Sequence, residues 1–81
     1  MLVTIRLFAR LRDLVGASEI TRELPEPATA RTAWEAIARE FPAAAAYERA
    51  VSCAVNEDYA RWTTPLNAGD EVAFLPPVSG G

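Results

Sequence analysis

The sequence of 81 residues contains no histidine, no lysine and only one cysteine, Cys53. Histidine is the commonest general base and metal ligand, and lysine is needed for Schiff-base chemistry and for Walker-type phosphate binding. A single cysteine excludes an internal disulfide and a thiolate zinc site. The sequence therefore predicts no metal site, and it argues against an enzyme that carries its own catalytic groups.

Charge and hydropathy exclude two further classes of protein. Eight basic residues, all arginine, against eleven acidic ones give a net charge of −3, which argues against a nucleic-acid binder. No apolar run reaches the length that spans a membrane and the N-terminus lacks a signal pattern, so we expect a cytoplasmic protein without membrane contact. A chain this short forms one domain without room for a walled cofactor cavity, so we expect no bound cofactor.

The periodicity of apolar residues predicts an α+β domain in which a mixed sheet packs on one main helix. Alternating residues indicate strands at 2–8, 18–24 (at an edge), 51–55 and 70–75. Helical spacing indicates a short helix at 9–15, the main amphipathic helix at 30–41 and a further helical turn at 43–49. We expect a short strand or crossing segment at 59–62, a loop at 65–69, a domain that ends at residue 75 and an extended, flexible tail over 76–81.

The tail is the most informative part of the chain. Pro76 and Pro77 forbid further ladder hydrogen bonds and direct the tail, which includes Val78 and Ser79, outward over roughly 20 Å. The final pair, Gly80-Gly81, has no Cβ, so its backbone can enter a channel too narrow for side chains.

The only reactive group at the tip is the carboxylate of Gly81, which becomes an acyl donor only after another protein activates it. The tail is therefore predicted to present a carried group, although a glycine-rich end is also typical of a frayed terminus.

A second feature of the sequence that points to a function is a predicted apolar surface. The outward positions of the first and last strands include Phe8, Ala73 and Leu75, and these share one solvent face near the root of the tail if the two strands are neighbours. Such a patch is typical of a partner interface, unless a helix or loop of the same chain covers it. Tyr59 is a further candidate for this patch.

Two further residues, Cys53 and Trp62, have side chains that often serve a function. Cys53 lies at an inward-facing position of its strand, and the chain has no histidine to activate it, so we expect a buried thiol. Trp62 is compatible with core packing or with an interface.

The chain resembles the molybdopterin synthase small subunit (MoaD) family along its whole length. Residues 8–14, FARLRDL, resemble the family segment FA-x-[VL]-R-[ED]-L, and residues 54–56 resemble its AVN strand and turn. Residues 69–81, GDEVAFLPPVSGG, resemble its terminal GDEVAFFPPVTGG with two conservative changes. The terminal segment is the most specific of the three.

The resemblance implies a ubiquitin-like β-grasp fold and a role as a sulfur carrier. It implies that a ubiquitin-activating-type adenylyltransferase (MoeB-like) uses ATP to adenylylate Gly81, and that a sulfur donor converts it to a thiocarboxylate. The tail then enters the large subunit (MoaE-like) and gives sulfur to cyclic pyranopterin monophosphate, which becomes the dithiolene of molybdopterin. The large subunit supplies the acid and base groups, and two small subunits flank a large-subunit dimer in a heterotetramer.

The resemblance also assigns interface residues. Phe8 and Leu75 match apolar interface positions, and Tyr59 aligns with another, where the tyrosine is a departure from the family pattern. Arg12 matches a position that can face the activating enzyme.

Three alternative functions use the same features. One is a sulfur carrier for thiamine or for tRNA thiolation, and another is a ubiquitin-like modifier conjugated to target lysines through Gly81. The last is a plain binding module that uses the apolar patch, for which Gly81 would be dispensable.

Overall fold

The computed structural model describes residues 1–77, in which a sheet and a helical layer enclose one core. The helices are α1 (Ala9–Val15) and α2 (Ala30–Glu40), followed by a 3₁₀ helix (Pro42–Tyr47). The strands are β1 (Leu2–Leu7), β2 (Glu19–Glu23), β3 (Ala28–Thr29), β4 (Ser52–Val55), β5 (Asp58–Ala60), β6 (Pro65–Leu66) and β7 (Glu71–Leu75).

Five strands form a mixed sheet in the order β2-β1-β7-β4-β5. β1 runs parallel to β7, and the other neighbouring pairs are antiparallel. The predicted alternation of β1 is confirmed, because Val3, Ile5 and Leu7 are buried while the residues between them are partly exposed. β2 lies at an edge, as predicted, so β1 and β7 stand together near the centre of the sheet.

α2 covers one face of the sheet and supplies a large fully buried side chain, Trp34. The helix begins after Thr29, whose backbone N–H donates to the Thr32 hydroxyl at 3.0 Å. The Trp34 ring meets Phe74 edge-on with centroids 5.2 Å apart, and Trp62 stacks on Phe74 at 6.1 Å. The predicted packing of a mixed sheet on one main helix is confirmed, and Trp62 packs against the core.

Three predicted segments differ in detail. The loop expected at 65–69 is wrong in part, because β6 lies inside it and pairs with β3 in a second, two-stranded sheet. Strands of two residues are too short to show alternation, so only their pairing across the fold reveals them. The helical turn expected at 43–49 is a 3₁₀ helix at Pro42–Tyr47, and the short strand expected at 59–62 lies at Asp58–Ala60.

Cys53 is buried in β4, as predicted. Its thiol donates to the Ala60 carbonyl oxygen at 3.4 Å, and burial raises the pKa of the thiol. A thiol that is both buried and held in its protonated form is a poor nucleophile, so Cys53 has a structural role.

The side chain of Asn56 connects the β4–β5 turn to the beginning of β7 through hydrogen bonds. Its side-chain amide donates to the Asp70 carboxylate at 3.0 Å and accepts from the Glu71 backbone N–H at 3.0 Å. Asp70 also accepts from the backbone N–H of Asn67 at 2.7 Å. Asn56 has a φ of +50°, a left-handed conformation that asparagine tolerates better than most residues.

Two substitutions of Asn56 should therefore separate the contribution of its side-chain hydrogen bonds to stability from the contribution of its left-handed backbone conformation. We expect Asn56→Gly, which keeps the backbone conformation but loses the amide, to lower the free energy of unfolding by about 1 kcal/mol. Asn56→Ala should cost about 1 kcal/mol more, because it adds left-handed strain. Urea denaturation of both variants measures the two steps, and equal midpoints for Gly and Ala would contradict the contribution of strain.

Candidate functional site

A groove of about 220 Å³ crosses the face of the sheet opposite α2. The strand register places it, since Arg6 pairs with Ala73, Ala73 with Ala54, and Ala54 with Tyr59. These four residues form one row across β1, β7, β4 and β5, and they alternate with residues that point into the core. The groove is lined by Arg6, Phe8, Ala54, Glu57, Tyr59, Glu71, Ala73 and Leu75.

Phe8 and Leu75 lie at the end of the groove where β7 ends. Leu7 pairs with Phe74 in the parallel ladder, so the residues that follow them, Phe8 and Leu75, come side by side. Both side chains are half-buried and line the groove. The sequence predicted that Phe8 and Leu75 share one face if the first and last strands are neighbours. The pairing of β1 with β7 meets this condition.

Tyr59 extends this surface to the edge of the sheet. It lies on β5, is 81% exposed and lines the same groove. A tyrosine offers a large apolar ring with a polar tip, which suits it to a surface that is buried only when a partner binds.

Arg12 is not brought into the groove. It lies on α1 with a largely exposed side chain, whose Nε is 4.0 Å from the Asp13 carboxylate. It borders a separate shallow depression with Gly16 and Ser18. Arg12 therefore lies apart from the end of the groove that Phe8 and Leu75 form.

The rim of the groove carries charges of both signs. The Arg6 guanidinium lies 5.3 Å from the centroid of the Phe8 ring and 3.7 Å from the Glu71 carboxylate. Glu57, on the β4–β5 turn, also lines the groove. Arg6, Ala54, Glu57 and Glu71 were not identified from the sequence as groove residues; the outward parity of Arg6 was a partial signal, but only the strand register brings the four together.

The C-terminal segment begins at the apolar end of the groove. Pro76 and Pro77 follow Leu75 directly, with Pro76 half-buried and Pro77 exposed. The other predicted tail residues, Val78, Ser79, Gly80 and Gly81, lie outside the described residues. A partner seated in the groove is thus adjacent to the point where the chain leaves β7.

Within residues 1–77, no cluster of three or more histidine, cysteine, aspartate or glutamate side chains is placed to hold a metal ion. In the same range, no helix has the length and apolarity needed to cross a membrane.

Comparison with known proteins identifies the family. Residues 5–81 match the ThiS family. The molybdopterin synthase sulfur carrier subunit of Escherichia coli (strain K12) is 35% identical over 82 residues, which cover 99% of this chain and 100% of that relative.

Two solved structures match along the full length. The crystal structure of SAMP1, a small archaeal modifier protein of Haloferax volcanii, has a TM-score of 0.86 and 27% identity, with 100% of both chains covered. A chain in the complex of subunits 1 and 2 of the molybdopterin-converting factor from Helicobacter pylori 26695 has a TM-score of 0.68 and 26% identity, again over 100% of both chains.

The mixed sheet on one main helix and these matches define a ubiquitin-like β-grasp protein. The chain belongs to the ThiS family, and its predicted resemblance to the molybdopterin synthase small subunits is confirmed.

Proposed function

We propose that this protein is the sulfur carrier subunit of a molybdopterin synthase and acts in the cytoplasm. The observation that carries the proposal is the position of the apolar groove at the root of a C-terminal segment that ends in Gly80-Gly81. A protein that delivers a carried group needs a docking surface and a reactive tip, but it needs no catalytic acid or base of its own. The 35% identity to the sulfur carrier subunit of Escherichia coli supports the same role.

The reacting group in this proposal is the C-terminal carboxylate of Gly81. Its oxygen attacks the α-phosphorus of ATP on an adenylyltransferase, which gives an acyl-adenylate and releases pyrophosphate. A donor of sulfide then attacks the acyl carbon, so that a carbon–sulfur bond forms, the carbon–oxygen bond to AMP breaks and a thiocarboxylate is left at Gly81. This exchange converts a weakly nucleophilic carboxylate into a sulfur nucleophile that can attack cyclic pyranopterin monophosphate.

The large subunit is the partner that completes the active site. The Helicobacter pylori structure is a complex of subunits 1 and 2, which supports a comparable assembly for this chain. In this assembly Phe8, Leu75 and Tyr59 dock the large subunit, and residues 76–81 enter its active site. The large subunit supplies the acid and base groups. After each transfer, the adenylyltransferase and a sulfur donor restore the thiocarboxylate at Gly81.

The direct test is the intact mass of the protein and of its C-terminal fragments after incubation with the host adenylyltransferase, ATP and a sulfur source. We expect one oxygen atom to be replaced by one sulfur atom, with the change localised to Gly81. Localisation is essential because oxidation elsewhere gives a similar mass change. A reaction without ATP is the matched control.

Addition of the large subunit and cyclic pyranopterin monophosphate then identifies the pathway. Conversion to molybdopterin with return of Gly81 to a carboxylate would support the proposal. A thiocarboxylate that forms but is not consumed in this reaction would favour a carrier for thiamine or tRNA thiolation. An unmodified terminus, with an adenylyltransferase active on a reference carrier, would contradict sulfur loading.

A second candidate is a modifier conjugated through Gly81, which the similarity to the archaeal modifier SAMP1 favours. The activated carboxyl group would then form an isopeptide bond with a lysine of a target protein. Since this chain has no lysine, any such lysine belongs to the target. Cell extracts probed for conjugates distinguish the two functions, because a dedicated sulfur carrier leaves no isopeptide-linked Gly81.

A further inference from the structure

β2 forms one edge of the five-stranded sheet. Within residues 1–77 it pairs with β1 alone, so its other side is open. Ser18 and Leu24, at the two ends of β2, both form backbone hydrogen bonds on the β1 side of the ladder. Because hydrogen-bonded and non-hydrogen-bonded pairs alternate along an antiparallel ladder, the backbone groups that point outward belong to Glu19, Thr21 and Glu23. An open edge of this kind is a template for a further strand.

Arg22 lies at an inward-facing position of β2. Its ladder partner on β1 is the buried Val3, so the arginine side chain leaves the sheet on the side that α2 covers. There it binds Glu40, the last residue of α2, through two parallel hydrogen bonds. Nε donates to Oε2 at 2.8 Å and Nη2 donates to Oε1 at 2.5 Å. This bidentate geometry fixes the guanidinium in place.

A third hydrogen bond brings the guanidinium to the open edge. Its Nη1 donates to the carbonyl oxygen of Thr21 at 2.7 Å. Thr21 is the middle one of the three residues whose backbone groups point outward, so Arg22 occupies the central acceptor of the edge. An arriving strand must compete with this charge-assisted bond for the carbonyl. The apolar packing of the sheet on α2 gives no reason of its own for an arginine at this position.

The acidic residues of β2 act in the same direction. A second copy of the chain pairs most fully with β2 in the antiparallel register that sets Thr21 opposite its own equivalent. This register sets Glu19 of each copy opposite Glu23 of the other, and like charges directly opposite each other destabilise a strand pair. The ends of the edge are therefore closed by repulsion, and its centre is occupied by Arg22.

We propose that Arg22, anchored by Glu40, closes the β2 edge to a second copy of this chain. In the two-fold pairing the two Thr21 residues exchange two backbone hydrogen bonds, and each of these bonds needs a carbonyl that a guanidinium already occupies. The anchored arginine thus keeps the edge from acting as a template. The inference concerns the fold itself and does not depend on the proposed function.

The test opens the edge in two stages. Glu19→Thr removes both like-charge contacts and introduces a residue that favours strands. We expect this variant to remain monomeric in sedimentation equilibrium. Glu19→Thr/Arg22→Leu also uncovers the Thr21 carbonyl, and we expect it to dimerise at least about tenfold more tightly than Glu19→Thr. Equal self-association of the two variants would overturn the inference.

Glu19→Thr/Arg49→Leu is the matched control. Arg49 is exposed and lies between the 3₁₀ helix and β4, so its substitution removes the same charge and adds the same leucine away from the edge. We expect this control to stay monomeric. If it dimerised as tightly as the Arg22→Leu variant, the effect would come from lost charge or added apolar surface, which contradicts a specific closure of the edge.

Amide hydrogen exchange locates the contact. The backbone N–H of Thr21 points outward, so pairing through β2 should slow its exchange in the dimer. A dimer in which this amide exchanges as fast as in the monomer would contradict pairing through the edge. If Arg22→Leu failed to fold, as judged by circular dichroism, Glu19→Thr/Glu40→Ala would serve, because it leaves Arg22 in place and removes only its anchor. A folded monomer in that variant would count against the role of the anchored arginine.

Discussion

Deletion of Gly81 should abolish sulfur transfer while leaving the fold and partner binding intact. The deletion moves the terminal carboxyl group back by one residue, about 3.5 Å, so that the reacting atom falls short of the site that a full tail reaches. The last buried core residue in the described range is Phe74, and Phe8 and Leu75 are untouched. Molybdopterin formed by the reconstituted synthase is the measurement.

Ser79→Ala is the matched control for this deletion, because it alters the tail without changing its length or its terminal group. We expect it to retain transfer. Circular dichroism melts and binding to the large subunit complete the comparison. Retained transfer after deletion of Gly81 would contradict the assigned role of the terminus, and loss of folding would contradict the separation between domain and tail.

Phe8→Asp should weaken the complex with the large subunit by roughly 100-fold. The substitution removes one apolar wall of the groove and places a carboxylate where binding excludes water, so the charge loses hydration. The domain itself should still fold, since Phe8 is the N-cap residue of α1 and makes no side-chain capping bond. Aspartate is a favoured N-cap residue, and this offsets part of the packing that is lost.

Leu2→Asp is the matched control for Phe8→Asp. Leu2 is 54% exposed and lies on β1, but it does not line the groove. We expect its affinity for the large subunit to equal that of the wild type. Equal losses in the two variants would mean that charge on the open face, and not the groove, controls binding.

The sequence predicted the elements whose burial pattern is local. β1 shows strict alternation from Val3 to Leu7, and α2 shows an apolar face, so both were found close to their observed bounds. The 3₁₀ form of Pro42–Tyr47 was missed because an alanine-rich segment has no apolar face to distinguish 3₁₀ from α-helix. β3 and β6 were missed because each contributes only two residues to a pairing between distant parts of the chain.

The candidate site also has one part that could be predicted from the sequence and one part that could not. The tail motif over residues 69–81 is contiguous, so the sequence by itself is enough to predict Gly81 as the reactive terminus and to show the family resemblance. The groove is not contiguous, because its row of side chains comes from four strands. The alternation of inward and outward side chains along each strand assigned Phe8 and Leu75 to an outer surface. This alternation carries no information on which strands are neighbours.

Only the tertiary structure decided that β1 and β7 are parallel neighbours and that Ala54 faces Ala73. It also separated Arg12 from the groove and showed that Trp62 packs against the core while remaining partly exposed. The physical reason is that strand order and register are fixed by the packing of the whole sheet on α2, whereas alternation is fixed by each strand's own backbone. The sequence thus predicts the group that this protein carries, and the packing of the sheet determines the shape of the surface on which we propose that a partner docks.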